Sequence, residues 1–162
     1  MFTGIVTDIG EITSMAPGGQ RGDRRFVVRT KHDMAPVPIG ASISCSGCCL
    51  TVVEKGSDWF AVEASGETLD KTHLGDWQKG HRLNLELSLK LGDELGGHLV
   101  YGHVDGVSLT VNEVDGNRFG VNIISHTQAV TTLGQVKAGQ RVNLEVDMLA
   151  RYVQRLLEHG RS

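Results

Sequence analysis

Aromatic residues are scarce in this chain: Phe, Trp and Tyr together make up 5% of its 162 residues. Surfaces that stack single-stranded nucleic acid draw on aromatic side chains and basic clusters, so this composition and a net charge of −3 argue against a nucleic-acid partner. No apolar run approaches the roughly 18 residues that span a bilayer, and no charged-then-apolar leader opens the chain. A cytoplasmic protein without a membrane partner is expected. Cysteine is confined to Cys45, Cys48 and Cys49, an odd number crowded into one stretch, which suits reduced thiols rather than a disulfide framework. The lone Cys-x-x-Cys has no second ligand pair, so no metal site is expected.

What is present is an apolar fraction of 40%, a charged fraction of 22% and 21 glycines, the balance of a turn-rich globular protein. It is also a repeat. "LTVVEKGSDWFAVEASGETLDKTHLGDWQKGHRLNLEL", Leu50 to Leu87, lies over "LTVNEVDGNRFGVNIISHTQAVTTLGQVKAGQRVNLEV", Leu109 to Val146, without a gap at an offset of 59, and 15 of 38 positions are identical. The identities include Leu-Thr-Val, Phe60 with Phe119, Thr68 with Thr127, Leu-Gly at 74 and 133, and Asn-Leu-Glu at 84 and 143.

Within each copy the local pattern is β. "FAVEA" and "FGVNI" alternate with period two, as do "RLNLEL" and "RVNLEV", and "EKGSD" and "VDGN" carry the residues that tight hairpins need. "ETLDKTHLG" and "HTQAVTTLG" are long enough for a helical turn between strands. Three further strands are predicted ahead of the first copy, in "FTGIVTDIGEITSM", "RRFVVRT" and "GASISCSG", making a six-strand module that closes as a small Greek-key barrel and so removes its sheet edges. Ahead of the second copy stands only "GGHLVYGHVDGVS". With "GHVDG" at 102–106 in the role of "TGIVT" at 3–7, the second module lacks about 40 residues after Gly106, two strands' worth. The expected division is a first barrel over 1–97, a shortened second barrel over 98–147 and a helix over 148–158. On that helix Leu149, Tyr152, Val153, Leu156 and Leu157 share a face, Asp147 is a suitable N-cap, and Gly160 a suitable stop. Such a terminal amphipathic helix suits packing on its own domain or an oligomer contact.

"MFTGIV", "GCCLTV" at 47–52, "SLKLGDELGGHLVYGHVDG" at 88–106, "VSLTVNEVDG" at 107–116 and "VNLEVDMLARYV" at 142–153, in that order and with the duplication, resemble the α-chain of riboflavin synthase, a two-barrel lumazine-binding family. The resemblance implies a mainly β fold of tandem six-stranded Greek-key barrels with a C-terminal helix, assembled as a homotrimer, with lumazine synthase as a further partner. It also implies conversion of two molecules of 6,7-dimethyl-8-ribityllumazine into riboflavin and 5-amino-6-(ribitylamino)uracil, with no cofactor beyond the bound substrate and product. Holding two flat heterocycles face to face turns a bimolecular encounter into a positioned one, which suits two copies of one binding module.

By the same resemblance the first pocket maps to Gly4, Ile5 and Val6, to Cys49, Leu50 and Thr51, and to Glu63, Ala64, Ser65, Gly66, Glu67 and Thr68. The second maps to Gly102, His103 and Val104, to Ser108, Leu109 and Thr110, and to Ile124, Ser125, His126 and Thr127. Catalytic roles fall on His103 as a proton shuttle, on Ser108 or Cys49 in delivering a nucleophile or bonding the ring, and on Asp147 in stabilising charge. Each has a plainer reading: His103 and Ser108 as strand residues, Cys49 as a small buried filler, Asp147 as a helix cap. The family's lysine-glycine segment ahead of its second "DGVSLTV" has no counterpart here. A non-catalytic lumazine or flavin binder of the same fold is therefore the alternative.

Overall fold

The computed structural model describes residues 1–94 and 102–159. Six strands, β1 (Asp8–Pro17), β2 (Arg24–Arg29), β3 (Ser42–Cys45), β4 (Cys48–Lys55), β5 (Trp59–Ala64) and β6 (Arg82–Leu87), close into an antiparallel barrel in the order β1-β2-β5-β4-β3-β6. Period-two alternation puts Phe26 and Val28 of β2, Leu50 and Val52 of β4, and Leu83 and Leu85 of β6 inside with Phe60 and Val62 of β5. Burying each such side chain contributes about 1.5–3 kcal/mol. Irregular register between Ile12 and Ser14, and between Val52 and Glu54, bends β1 and β4 so that the sheet meets itself.

The link from β5 to β6 is helical, as its length predicts. Ser65 caps α1 (Gly66–Lys71), its Oγ accepting the Thr68 N–H at 3.2 Å. A 3₁₀ turn at His73–Asp76 then delivers Leu74 and Trp77 into the core, where the indole meets Phe26 edge to face at 5.4 Å. The first strand is shorter than predicted: it begins at Asp8, and the residues ahead of it run along β6, the Thr7 N–H donating to the Leu85 carbonyl at 2.9 Å, while the Gly4 carbonyl reaches the Ser108 N–H of the second unit. Buried Glu86 holds this segment, accepting hydrogen bonds from the Thr3 N–H and hydroxyl and from the Gly4 N–H.

The second unit repeats the last part of the first. α2 (Ser125–Val130), a 3₁₀ turn (Thr132–Gln135), β10 (Arg118–Val121) and β11 (Leu144–Val146) start 59 residues after α1, its 3₁₀ turn, β5 and a point within β6. The equivalent of β4 is split into β8 (Val107–Ser108) and β9 (Val111–Asp115).

One correction concerns β7 (Gly102–Val104). It pairs Val104 with Val107, His103 with Ser108 and His103 with Glu145, reproducing the pairs Cys45–Cys48, Ser44–Cys49 and Ser44–Glu86 of β3. The segment 102–106 therefore takes the place of 43–47, not of 3–7. Asp105 and Gly106 stand at φ of 49° and 77°, matching 46° and 82° at Ser46 and Gly47, as a two-residue hairpin turn demands. Strand identity follows from pairing, and this turn lets Gly102–Val104 pair with whatever strand follows it. In strand positions the unit has equivalents of β3 to β6 and, among the described residues, none of β1 or β2. It forms a three-stranded sheet, β11-β7-β8, and a two-stranded sheet, β10-β9.

Helix α3 (Met148–His159) follows, with Asp147 as its cap: the carboxylate accepts the Leu149 N–H at 2.7 Å and the Ala150 N–H at 3.2 Å. Leu149, Tyr152, Val153, Leu156 and Leu157 on its apolar face are exposed. The expected stop at Gly160 and the expected boundary at 97–98 lie outside the described residues. No described helix is long and apolar enough to cross a membrane.

Candidate functional site

The two units meet through their hairpin turns. A Cβ on Gly106 would stand 2.7 Å from the Gly47 nitrogen, and one on Gly47 would stand 2.9 Å from the Gly106 nitrogen, so only glycine permits this approach. Beside it, His73 Nε2 lies 2.9 Å from Asp105 Oδ1, and the Trp77 indole N–H donates to His73 Nδ1 at 3.1 Å. That leaves Nδ1 as the acceptor and directs the Nε2 proton of a neutral ring to Asp105. His81 stacks on Trp77 at 5.7 Å, and burial, with His73 as the next contributor, pulls its pKa below the ordinary histidine value.

Three of the predicted site residues come together where the N-terminal segment crosses β7 and β8. The Ser108 N–H donates to the Gly4 carbonyl at 2.9 Å, and a Cβ on Gly4 would fall 2.6 Å from His103 Nε2 and 2.7 Å from Ser108 Cβ. Gly4 is at φ +76°, so conformation and space both call for glycine. His103 is 3% exposed, its Nδ1 3.2 Å from the Glu145 carboxylate. A cleft of about 440 Å³ opens beside it, lined among others by Cys48, Lys71, Thr72, Arg141 and Glu145, a volume within the range of small-molecule sites. His103 also lines an apolar cleft of about 520 Å³ between β7–β11 and β9–β10, together with Gly102, Val104 and Leu109.

The remaining predicted residues are distributed as follows. Cys49 is exposed on β4 opposite Ser44, the place in the first unit that Ser108 holds opposite His103 in the second. Each unit thus presents a polar pair at one equivalent position. Leu50 and Ala64 are core residues, so only their backbone faces outward chemistry, whereas Ile5, Thr51 and Thr110 are exposed and Val6 is half-buried. Glu63 ends near the Gly19 N–H at 3.4 Å, Gly66 N–H donates to Asp23, and Ser65, Glu67 and Thr68 form the first turn of α1. Ile124 occupies the cap position of α2, with Ser125, His126 and Thr127 in its first turn; where Ser65 caps α1, Ile124 supplies no side-chain cap. Asp147 is engaged at the start of α3.

Burial pushes the Cys48 thiol up to about 11 and the Cys45 thiol further still, so neither is a thiolate near neutrality. Among the described residues no group of three or more His, Cys, Asp or Glu is placed to hold a metal ion. Sequence reasoning missed Glu86, which anchors the N-terminal segment, and Glu145, its equivalent, which meets His103 instead. The repeated Asn-Leu-Glu at 84 and 143 was the available signal, since identity at two polar residues in both copies exceeds what strand pairing needs.

The sequence matches the pattern of the lumazine binding domain over residues 3–88 and again over 98–147. It is 44% identical over 202 residues to riboflavin synthase of Brucella abortus (strain 2308), covering 98% of this chain and 99% of that one. Riboflavin synthase of Photobacterium phosphoreum is 35% identical over 195 residues, covering 97% and 89%. An alignment of 202 residues against a chain of 162 leaves about 40 positions of the Brucella protein without a counterpart. Crystal structures of LumP complexed with 6,7-dimethyl-8-(1'-D-ribityl) lumazine and with riboflavin share the fold at a TM-score of 0.78 and 21% identity, covering 90% of this chain and 99% of theirs.

Proposed function

Because this chain belongs to the riboflavin synthase family of lumazine-binding-domain proteins, we propose that it converts two molecules of 6,7-dimethyl-8-ribityllumazine into riboflavin and 5-amino-6-(ribitylamino)uracil. The observation that carries this reading is the 44% identity that runs through nearly the full length of both chains, together with the convergence of Gly4, His103 and Ser108. Four carbons leave one lumazine and join the other. One substrate is built up as its twin is broken down, so no external electron donor or acceptor and no cofactor enters the balance.

The protein's part is to hold two rings and move protons. The first ring lies against the N-terminal segment Gly4–Val6, Cys49–Thr51 and Glu63–Thr68 of the first unit. The second lies against Gly102–Val104, Ser108–Thr110 and Ile124–Thr127. His103 carries the proton, its ring held by the Glu145 carboxylate 3.2 Å from Nδ1. Ser108 and Cys49 bond the rings or guide the attacking water, and Asp147 links the second site to α3. The working form is a cytoplasmic homotrimer, with α3 as the contact between subunits and lumazine synthase as the source of substrate.

The test is turnover. The purified chain is mixed with excess 6,7-dimethyl-8-ribityllumazine, and riboflavin is followed by absorbance and chromatography. Riboflavin beyond one equivalent per chain is expected. Bound lumazine without product would replace the enzyme with a binder whose second unit, lacking the equivalents of β1 and β2, no longer assembles a reactive pair.

A further inference from the structure

The second unit exposes what the first buries. Val52, Phe60 and Leu85 are 0% exposed in the closed barrel, while their equivalents Val111, Phe119 and Leu144 are 50%, 44% and 57% exposed. These side chains, with Val114 and Val146, face the apolar cleft between the two small sheets. Two strand edges are open as well. In the first unit β5 pairs with β2 and β6 with β1; among the described residues their equivalents β10 and β11 have no strand on the corresponding side.

We infer that this open face is closed by the same face of a second copy of this chain, forming an eight-stranded barrel shared between two subunits. Direction and count support it. Successive antiparallel pairing through β5, β4, β3 and β6 means that β5 and β6 run opposite ways, and so do β10 and β11 by the repeat. A two-fold axis along the barrel then sets β10 of one copy antiparallel to β11 of the other, twice, leaving no edge. Four strand positions from each copy make eight, a number at which side chains alone fill a barrel interior.

Area and availability point the same way. At those exposures the five apolar side chains offer on the order of 400 Å² per copy, and the paired edges add backbone, which brings the total near the roughly 1,000 Å² of a specific interface. Strands β1 and β2, the elements that close such a sheet within one chain, are already engaged in the first barrel. A second copy is self-complementary to a face whose two edges run in opposite senses. This contact is separate from α3, and its cleft shares Gly102, His103, Val104 and Leu109 with the proposed second site.

The test is sedimentation velocity of the full chain over a wide concentration range, in a Leu149→Lys/Leu156→Lys background that removes association through α3. A dimer is expected there. Phe119→Glu and Val146→Glu, both at exposed positions, should each weaken it by about tenfold or more while the fluorescence of Trp59 and Trp77 shows the first barrel intact. Hydrogen exchange at the β10 and β11 amides should slow as concentration rises. A monomer at high micromolar concentration in the α3 background would overturn the inference, as would a dimer that neither glutamate weakens.

Discussion

Asn84 and Asn143, identical residues 59 apart, reach across the junction between the units in opposite directions. The Asn84 side-chain amide donates to the Asp105 carbonyl at 2.9 Å and its oxygen accepts the Thr132 N–H at 2.8 Å. The Asn143 amide donates to the Ser46 carbonyl at 2.8 Å and its oxygen accepts the His73 N–H at 3.0 Å. Ser46 and Asp105, like His73 and Thr132, are themselves equivalent positions, so one hydrogen-bond arrangement is used twice about a local two-fold axis.

Replacing Asn84 by Ala leaves a buried carbonyl and a half-buried N–H without their partners. The expected loss is about 2–4 kcal/mol, with Asn143→Ala at the lower end because that side chain is less buried. The double variant should lose less than the two singles together, since both act on one junction. Denaturant unfolding of the three proteins measures this. Single losses under about 0.5 kcal/mol would remove these asparagines from the account of how the units hold together.

Gly4→Ala separates folding from activity. The added methyl meets His103 Nε2 and Ser108 Cβ, but residues 1–7 lie outside the barrel strands. Stability should fall by only about 1 kcal/mol, while turnover falls on the order of tenfold or more as the segment lifts away from His103. Gly22→Ala is the control: its φ is +93° but nothing lies within 4 Å, so it carries backbone strain and no clash. Equal turnover in the two variants would detach Gly4 from the site.

Much of this was legible from period and repetition. Alternation in "RRFVVR" and "RLNLEL" marked the barrel strands, and an ungapped offset of 59 placed α2 from α1. Asp147 was legible as a cap because a carboxylate ahead of an amphipathic run has little else to bond. The role of Gly102–Val104 was not: three residues carry too little pattern to say which strand they replace, and only the partners Val107, Ser108 and Glu145 decide it. Nor could the sequence show what holds Thr3 and Gly4, since that depends on Glu86, more than 80 residues away.

The three thiols should react at three rates. Cys49 is exposed, Cys48 is half-buried with its thiol raised to about 11, and Cys45 is buried with its thiol raised further. A disulfide reagent at mildly alkaline pH should therefore modify one thiol quickly, a second slowly, and the third only when the barrel opens. Cys49→Ser should abolish the fast phase. A fast phase that survives that change would move the accessible thiol to Cys48 and reverse the expected order. Retained turnover in the same variant would limit Cys49 to contact with the ring.

Acid should destabilise the fold through Asp8. Burial works to raise this carboxyl, but the Thr30 hydroxyl at 2.6 Å and the Lys31 N–H at 2.8 Å both donate to Oδ2 and prevail, holding its pKa below the ordinary aspartate value. An unfolded aspartate titrates near 3.9, so between the folded and unfolded values the unfolded chain binds the extra proton. The stabilisation is then fully present above the unfolded pKa and is lost as pH falls through the folded one. Asp8→Asn keeps the shape without the charge, and Asn cannot titrate. The variant should be less stable than the parent at neutral pH, by about 1–3 kcal/mol for charge-assisted bonds reduced to neutral ones. Below about pH 4 the two unfolding midpoints should converge. Midpoints that stay a constant distance apart from neutral pH to strong acid would mean that Asp8 is held by packing alone.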